Sequence, residues 1–269
     1  MFCRAISSNN AAAQTENDST SRQDAKGASS PNTLAHMSKE FARTCKQTLD
    51  AVFFDLDGVL IDSERVWDAA RRAVVAESGG KWRARATREM MGMSAPEWSR
   101  YLRDQLGVPL PAPEIDKRVV ARLLEGYERK LPLIPGAVAA VKRLAARWPL
   151  GLASSADRAV IERVLSASGL ADSFATIVSG EEVAHGKPAP DIYLGAARKL
   201  GVSPQRAAAI EDSGNGLRAA AAAGMLVVAI PNRDFPPPAD ALALADVTLE
   251  SLEELTPEVL EEPSERGGG

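Results

Sequence analysis

Asp55 and Asp57 stand two apart in "AVFFDLDGVLIDSE" (51–64), directly after four apolar residues. Two carboxylates at the end of a buried run repel each other and resist desolvation, so they need a counter-charge. At that spacing both side chains can point to the same side of an extended segment, and Gly58 lets the backbone turn sharply behind them. A hard divalent cation such as Mg²⁺ would offset the repulsion, and it prefers several oxygen ligands. A second acidic pair, Glu211 and Asp212, ends another apolar run in "AAAIEDSGNGLRAA". Two further run ends carry polar groups. "GLASSADR" places Ser154 and Ser155 where a hydroxyl and a following helix N-terminus can hold phosphate oxygens. "HGKPAPD" holds Lys187 in a proline-stiffened turn. A nucleophilic carboxylate, a metal, an anion cradle and a lysine together describe phosphoryl transfer through an aspartyl-phosphate.

Strand ends must bring these groups together. "AVFFDL", "PLGLAS" (149–154), "FATIV" (174–178), "AAAIED" (207–212) and "MLVVAIP" (225–231) are short continuous apolar runs, as in a parallel sheet covered on both faces. Between them lie amphipathic helices. Val138, Val141 and Ala145 share one face, as do Val160, Ile161, Val164 and Leu165 ahead of Gly169; Gly201 and Gly224 stop the next two helices. This alternation predicts an α/β fold, a doubly wound Rossmann-like parallel sheet. Sequence alone leaves open whether the two acidic strands are neighbours.

One interval breaks the rhythm. Residues 65–131 carry helical signals only: Val66, Ala70, Ala73 and Val74; then Trp98, Tyr101, Leu102 and Leu106 before Gly107; then Ile115, Val119 and Leu123. We expect an all-helical cap there, inserted between core segments 48–64 and 132–258 and hung on "LIDSE" and "LPLIPG". An insert at the carboxyl end of the first strand lies where open α/β sheets bind ligands. Asp62 and Ser63 are expected to cap the first cap helix and act as hinge. Trp98 and Tyr101 are expected mainly in the cap's own core.

Composition narrows the remainder. A net charge of −4 gives no electrostatic footprint for nucleic acid or an anionic membrane. No apolar run approaches the roughly 20 residues of a membrane span. Both cysteines, Cys3 and Cys45, precede the first strand, which excludes a disulfide framework in the body and fits a reducing, cytoplasmic setting. Residues 1–47 are rich in Ser, Asn, Thr and Gln with few large apolar residues, and residues 259–269 end in glycines. Both segments are expected to be disordered tails. The first has the pattern of neither a secretory signal nor a transit peptide, and Met37 is an alternative start.

"DLDGVLIDS", "LASS", "GKPAPDIY" and "IEDSGNG", in this order, resemble the four motifs of the haloacid dehalogenase-like hydrolase superfamily. The resemblance covers about residues 50 to 255 and is strongest to the phosphatase and β-phosphoglucomutase-like branch, with a helical cap after the first motif. It implies that Asp55 is the nucleophile and Asp57 the general acid/base. It also implies that Ser154 and Lys187 hold the phosphoryl group, and that Asp55, the Asp57 carbonyl, Glu211 and Asp212 surround Mg²⁺. The expected activity is a Mg²⁺-dependent phosphatase acting as a monomer on a small, sugar-phosphate-like metabolite. The alternative is a phosphohexomutase, but that family's cap histidine falls on Trp67 and its distal-phosphate arginine on Ala95. Dehalogenation would leave Asp57 and the Glu211–Asp212 pair without purpose. A receiver-like signalling domain would lack both the cap and the Asp-x-Asp spacing.

Overall fold

The computed structural model describes residues 48–90 and 93–261; the expected N-terminal tail and its Met37 lie outside them. The apolar runs form a six-stranded sheet: β1 (Ala51–Phe54), β2 (Leu150–Ser154), β3 (Thr176–Ser179), β4 (Ala207–Glu211), β5 (Leu226–Ala229) and β6 (Val247–Thr248). All pairings are parallel, in the order β3-β2-β1-β4-β5-β6. The chain winds outward from β1 to β3, then crosses to β4 on the other side of β1. The carboxyl ends of β1 and β4 therefore flank the reversal of strand order, where a crevice opens. Ala51 pairs with Ala207 and Phe54 with Ile210, so Asp55 and Glu211 follow side by side. The two acidic strands are neighbours.

Alternation along β1 sends its side chains to both faces. Ala51 and Phe53 join one buried cluster with α7 (Asp191–Leu200) and α8 (Gly214–Ala223). Val52 and Phe54 join the other, against α5 (Ala137–Ala145) and α6 (Arg158–Ser168). That second cluster continues into the helical cap, formed by α1 (Glu64–Glu77), α2 (Ala86–Met90), α3 (Ala95–Asp104) and α4 (Ala112–Arg129). Ala70 and Val74 of α1, Trp98 and Leu102 of α3, and Ile115, Val119 and Leu123 of α4 are buried, as their helical spacing predicts.

The cap's two connections lie side by side. Asp62 N–H donates to the Pro132 carbonyl (2.8 Å) and Ile134 N–H to the Leu60 carbonyl (3.0 Å), with Ile61 bridged to Leu133. Paired strands resist independent movement, so the insert hangs on a two-stranded strap rather than on two free loops.

Some elements carried no readable signal. β6 has two residues, and α2, α9 (Ala239–Leu242) and α10 (Pro257–Glu261) have five or fewer. One boundary is corrected: residues 259–261, expected in the C-terminal tail, belong to α10. Leu260 is buried and Glu261 pairs with Arg147 (2.9 Å), which holds the helix to the core. Residues 262–269 lie outside the described residues. Among the described residues no helix is long and apolar enough to cross a membrane.

Candidate active site

The β1 and β4 ends meet at Lys187, which arrives on the loop after β3. Its ammonium donates to Asp55 Oδ1 (2.7 Å), Glu211 Oε1 (2.6 Å) and the Ala153 carbonyl (3.0 Å). All three of its protons are thus used, and all four residues are buried. Burial alone would lower the lysine, but the Asp55 and Glu211 carboxylates outweigh it and hold the ammonium above its ordinary value. Burial pushes Asp55 up to about 7, with Lys187 pulling down and Glu211 and Asp57 pushing up. Tyr193, in the first turn of α7, donates to the same Glu211 oxygen (2.6 Å). Sequence reasoning did not single out this tyrosine, although it closes the "GKPAPDIY" stretch.

Asp212 follows Glu211 out of β4. Its Oδ1 is buried with no hydrogen-bond partner among the described residues. Burial, then Glu211 and Asp55, push its carboxyl well above the usual range. One carboxylate oxygen from each of Asp55, Glu211 and Asp212 lies within 4.8 Å of the others. An all-oxygen donor set around an orphaned buried carboxylate fits a hard divalent cation. Ser213 caps α8 by accepting from Gly216 N–H (3.1 Å), so neither acidic residue is spent on capping. Two glycines make the crowding feasible. Gly58 has φ +80°, and a Cβ there would fall 1.9 Å from Asp212 Oδ2; a Cβ on Gly216 would fall 1.9 Å from Glu211 Oε2.

Asp57 sits apart from this group. Its Oδ1 accepts from the Trp67 indole N–H (3.0 Å) and from the Ser63 hydroxyl (2.5 Å). Ser63 is the N-cap of α1 by position, but its hydroxyl makes no cap bond. The capping role expected of Ser63 is thereby corrected: its hydroxyl donates to Asp57 and its oxygen accepts from no N–H of the first turn. Trp67, placed by the resemblance where a mutase carries histidine, holds the carboxylate of the acid/base candidate.

Ser154 ends β2 fully buried, and its Oγ accepts from Ala156 N–H (3.1 Å). It braces the turn, whereas its half-buried neighbour Ser155 lines the cavity. That cavity, about 600 Å³, is bounded by Asp55, Asp57, Lys187 and Asp212 below, and by Trp67, Arg71 and Trp98 of the cap above. The core loop around Asp234 and Phe235 forms a side wall, tied to α1 by Arg65–Asp234 (2.9 Å). Trp98 is both cap core and cavity wall; Tyr101 instead donates to Glu89 on the exposed side. Among the described residues the cavity's basic lining consists of Arg71, Arg88, Lys187 and Arg218.

Known proteins place this architecture. The model of the haloacid dehalogenase-like hydrolases matches residues 49–224. Hexitol phosphatase B of Escherichia coli K12 is 39% identical over 221 residues, covering 79% of this chain and 96% of that protein. Protein CbbY of Cereibacter sphaeroides is 34% identical, covering 77% and 94%. Among solved structures, CbbY from Rhodobacter sphaeroides in complex with phosphate superposes with a TM-score of 0.69 at 33% identity, over 77% of this chain and 96% of that one. The chain belongs to the haloacid dehalogenase-like hydrolases, in their phosphatase and β-phosphoglucomutase-like branch, and is a phosphoric monoester hydrolase.

Proposed function

We propose that the protein is a Mg²⁺-dependent phosphatase that hydrolyses a small, sugar-phosphate-like monoester through a phosphate ester of Asp55. The observation that carries this reading is the Lys187 ammonium bonded to both Asp55 and Glu211 at adjacent strand ends, under a capped cavity. Lys187 holds Asp55 Oδ1 and fixes the carboxylate for attack on phosphorus. As the new O–P bond forms, the bond to the substrate's alcohol oxygen breaks, and Asp57 supplies the proton that this oxygen needs. Asp57 then takes a proton from the water that attacks the aspartyl-phosphate, releasing inorganic phosphate and restoring Asp55. Such proton transfers contribute typically 10²–10⁴-fold. Ser154 braces the turn that presents Ser155 to the phosphoryl oxygens, and the Lys187 charge, held behind Asp55, offsets theirs. Asp55, Glu211, Asp212 and the Asp57 carbonyl would hold Mg²⁺. The chemistry it supplies when bound is neutralisation of charge on the phosphoryl group.

Hydrolysis is favoured over isomerisation by two residues of the cap. A mutase must hold a second phosphate while its bisphosphate turns round. Ala95 lines the cavity and offers no charge, and the Trp67 indole is committed to Asp57. We further infer a monomer acting in the cytoplasm without nucleic-acid or membrane partners; the mildly acidic net charge offers no footprint for a polyanion or an anionic membrane.

The direct test is phosphate release from an aryl phosphate with and without excess chelator. Chelation should abolish turnover and added Mg²⁺ restore it. Undiminished release in chelator would remove the metal from the reading.

A further inference from the structure

Arg71 is a buried charge that the phosphoryl chemistry does not use. Its side chain is 7% exposed, lines the cavity on the cap side, and lies over the rings of Trp67 (5.0 Å) and Trp98 (5.3 Å). Its Nε has no hydrogen-bond partner among the described residues, and neither has Oε1 of Glu64, which also lines the cavity. The two side chains approach only to 4.0 Å, between Arg71 Nη1 and Glu64 Oε1. A buried donor and a buried acceptor left unpaired beside one another are costly, and a native site tolerates them when a ligand completes them.

We propose that Arg71 and Glu64 form the specificity pair of the cap, binding hydroxyl groups on the alcohol portion of the substrate and so selecting a polyhydroxylated monophosphate. This rests on the phosphatase reading and names what that phosphatase prefers. A hydroxyl accepts from the guanidinium and donates to the carboxylate, so one hydroxyl or a vicinal pair can serve both groups. An aryl group has no hydroxyl to donate to the carboxylate, and meets the guanidinium only through its ring face or a weak acceptor. Charge argues against a second phosphate or a carboxylate at this position. The carboxylates of Glu64, Asp57 and Asp68 all act on the one guanidinium. Among the described residues, seven acidic side chains and four basic ones line the cavity. The potential at the cap wall therefore suits a neutral polar tail.

The test compares kcat/KM for sorbitol phosphate, fructose bisphosphate and p-nitrophenyl phosphate in the wild type, Arg71→Gln and Glu64→Gln. Arg71→Gln should lower the ratio of sorbitol phosphate to p-nitrophenyl phosphate by roughly 10- to 100-fold, the loss of charge-assisted hydrogen bonds to the substrate. Glu64→Gln keeps the side-chain size and removes the negative charge, so fructose bisphosphate should gain on sorbitol phosphate. If Arg71→Gln fails to fold, judged by circular dichroism, the Glu64→Gln ratios decide alone. An active wild type whose variants scale all three substrates by one common factor would overturn the specificity pair and leave the phosphatase reading intact. A wild type that hydrolyses none of the three would overturn both.

Discussion

The floor and the roof of the cavity are built by different rules. On the floor, Asp55, Glu211 and Asp212 leave the ends of two paired strands, so hydrogen-bonded backbone fixes where each carboxylate starts. Lys187 then ties two of them together through nearly ideal bonds. On the roof, Trp67, Arg71 and Trp98 stand on helices whose positions depend on side-chain packing, and their contacts are ring faces and an ion pair at 4.0 Å. The floor is pre-organised for one reaction, while the roof retains polar groups that await partners. Electrostatic chemistry needs donors and acceptors fixed before reaction. Selection among alcohols needs only that the right tail completes what the wrong one leaves open.

Variants on the floor should therefore cost far more than variants on the roof. Asp57→Asn keeps the size but loses the proton, and kcat on any phosphomonoester should fall 10²–10⁴-fold. Near-normal turnover would reverse the assignment. Gly58→Ala adds a Cβ at φ +80°, on top of Asp212. Steady-state assays over a range of Mg²⁺ should show activity or apparent metal affinity reduced by about 10- to 100-fold, the usual loss when the support of a metal ligand is disturbed. An unaltered Mg²⁺ dependence would mean that Asp212 is no ligand.

At the seam between floor and roof, Trp67→Phe keeps the ring but removes the N–H that Asp57 Oδ1 accepts. Ser63 still holds that oxygen, so about a 3- to 10-fold fall is expected, in kcat rather than KM. A change confined to KM would make Trp67 part of the substrate wall alone.

The smallest effect concerns pH and stability. Burial, with Asp116 and Glu181 adding to it, pushes Asp157 from 3.8 up to about 7. The fold thus prefers its protonated form. The stability it contributes is present below 3.8 and is lost as pH rises through about 7. Asp157 is the N-cap of α6 without a side-chain cap bond, so Asp157→Asn gives up no hydrogen bond there. Melting temperatures should then fall less between acid and neutral pH than in the wild type. A parallel fall in both proteins would locate the pH dependence elsewhere.

Legibility in the sequence followed the same division. Three apolar runs ending in acids or a hydroxyl were readable because strand ends put chemistry next to backbone that is already fixed, and Lys187 was readable from its proline-stiffened turn. Strand order was not, since periodicity says nothing about which parallel strands pair; the β1–β4 pairing had to be seen. Ser63 read as a helix cap because a good N-cap and a carboxylate partner look alike in sequence, and only geometry shows the hydroxyl turned to Asp57. Tyr193 and Arg71 were passed over for a related reason. A tyrosine or arginine on the inner face of an amphipathic helix gives no periodic signal of what it meets across a cavity.

The central claim is that phosphate passes through Asp55. Acid-quenched turnover of a phosphomonoester, followed by peptide mapping, measures this directly. The account predicts phosphate on the peptide containing Asp55 in the wild type, more of it in Asp57→Asn, where hydrolysis of the intermediate is slowed, and none in Asp55→Asn. Phosphate on another residue, or undiminished phosphate release by Asp55→Asn, would contradict it.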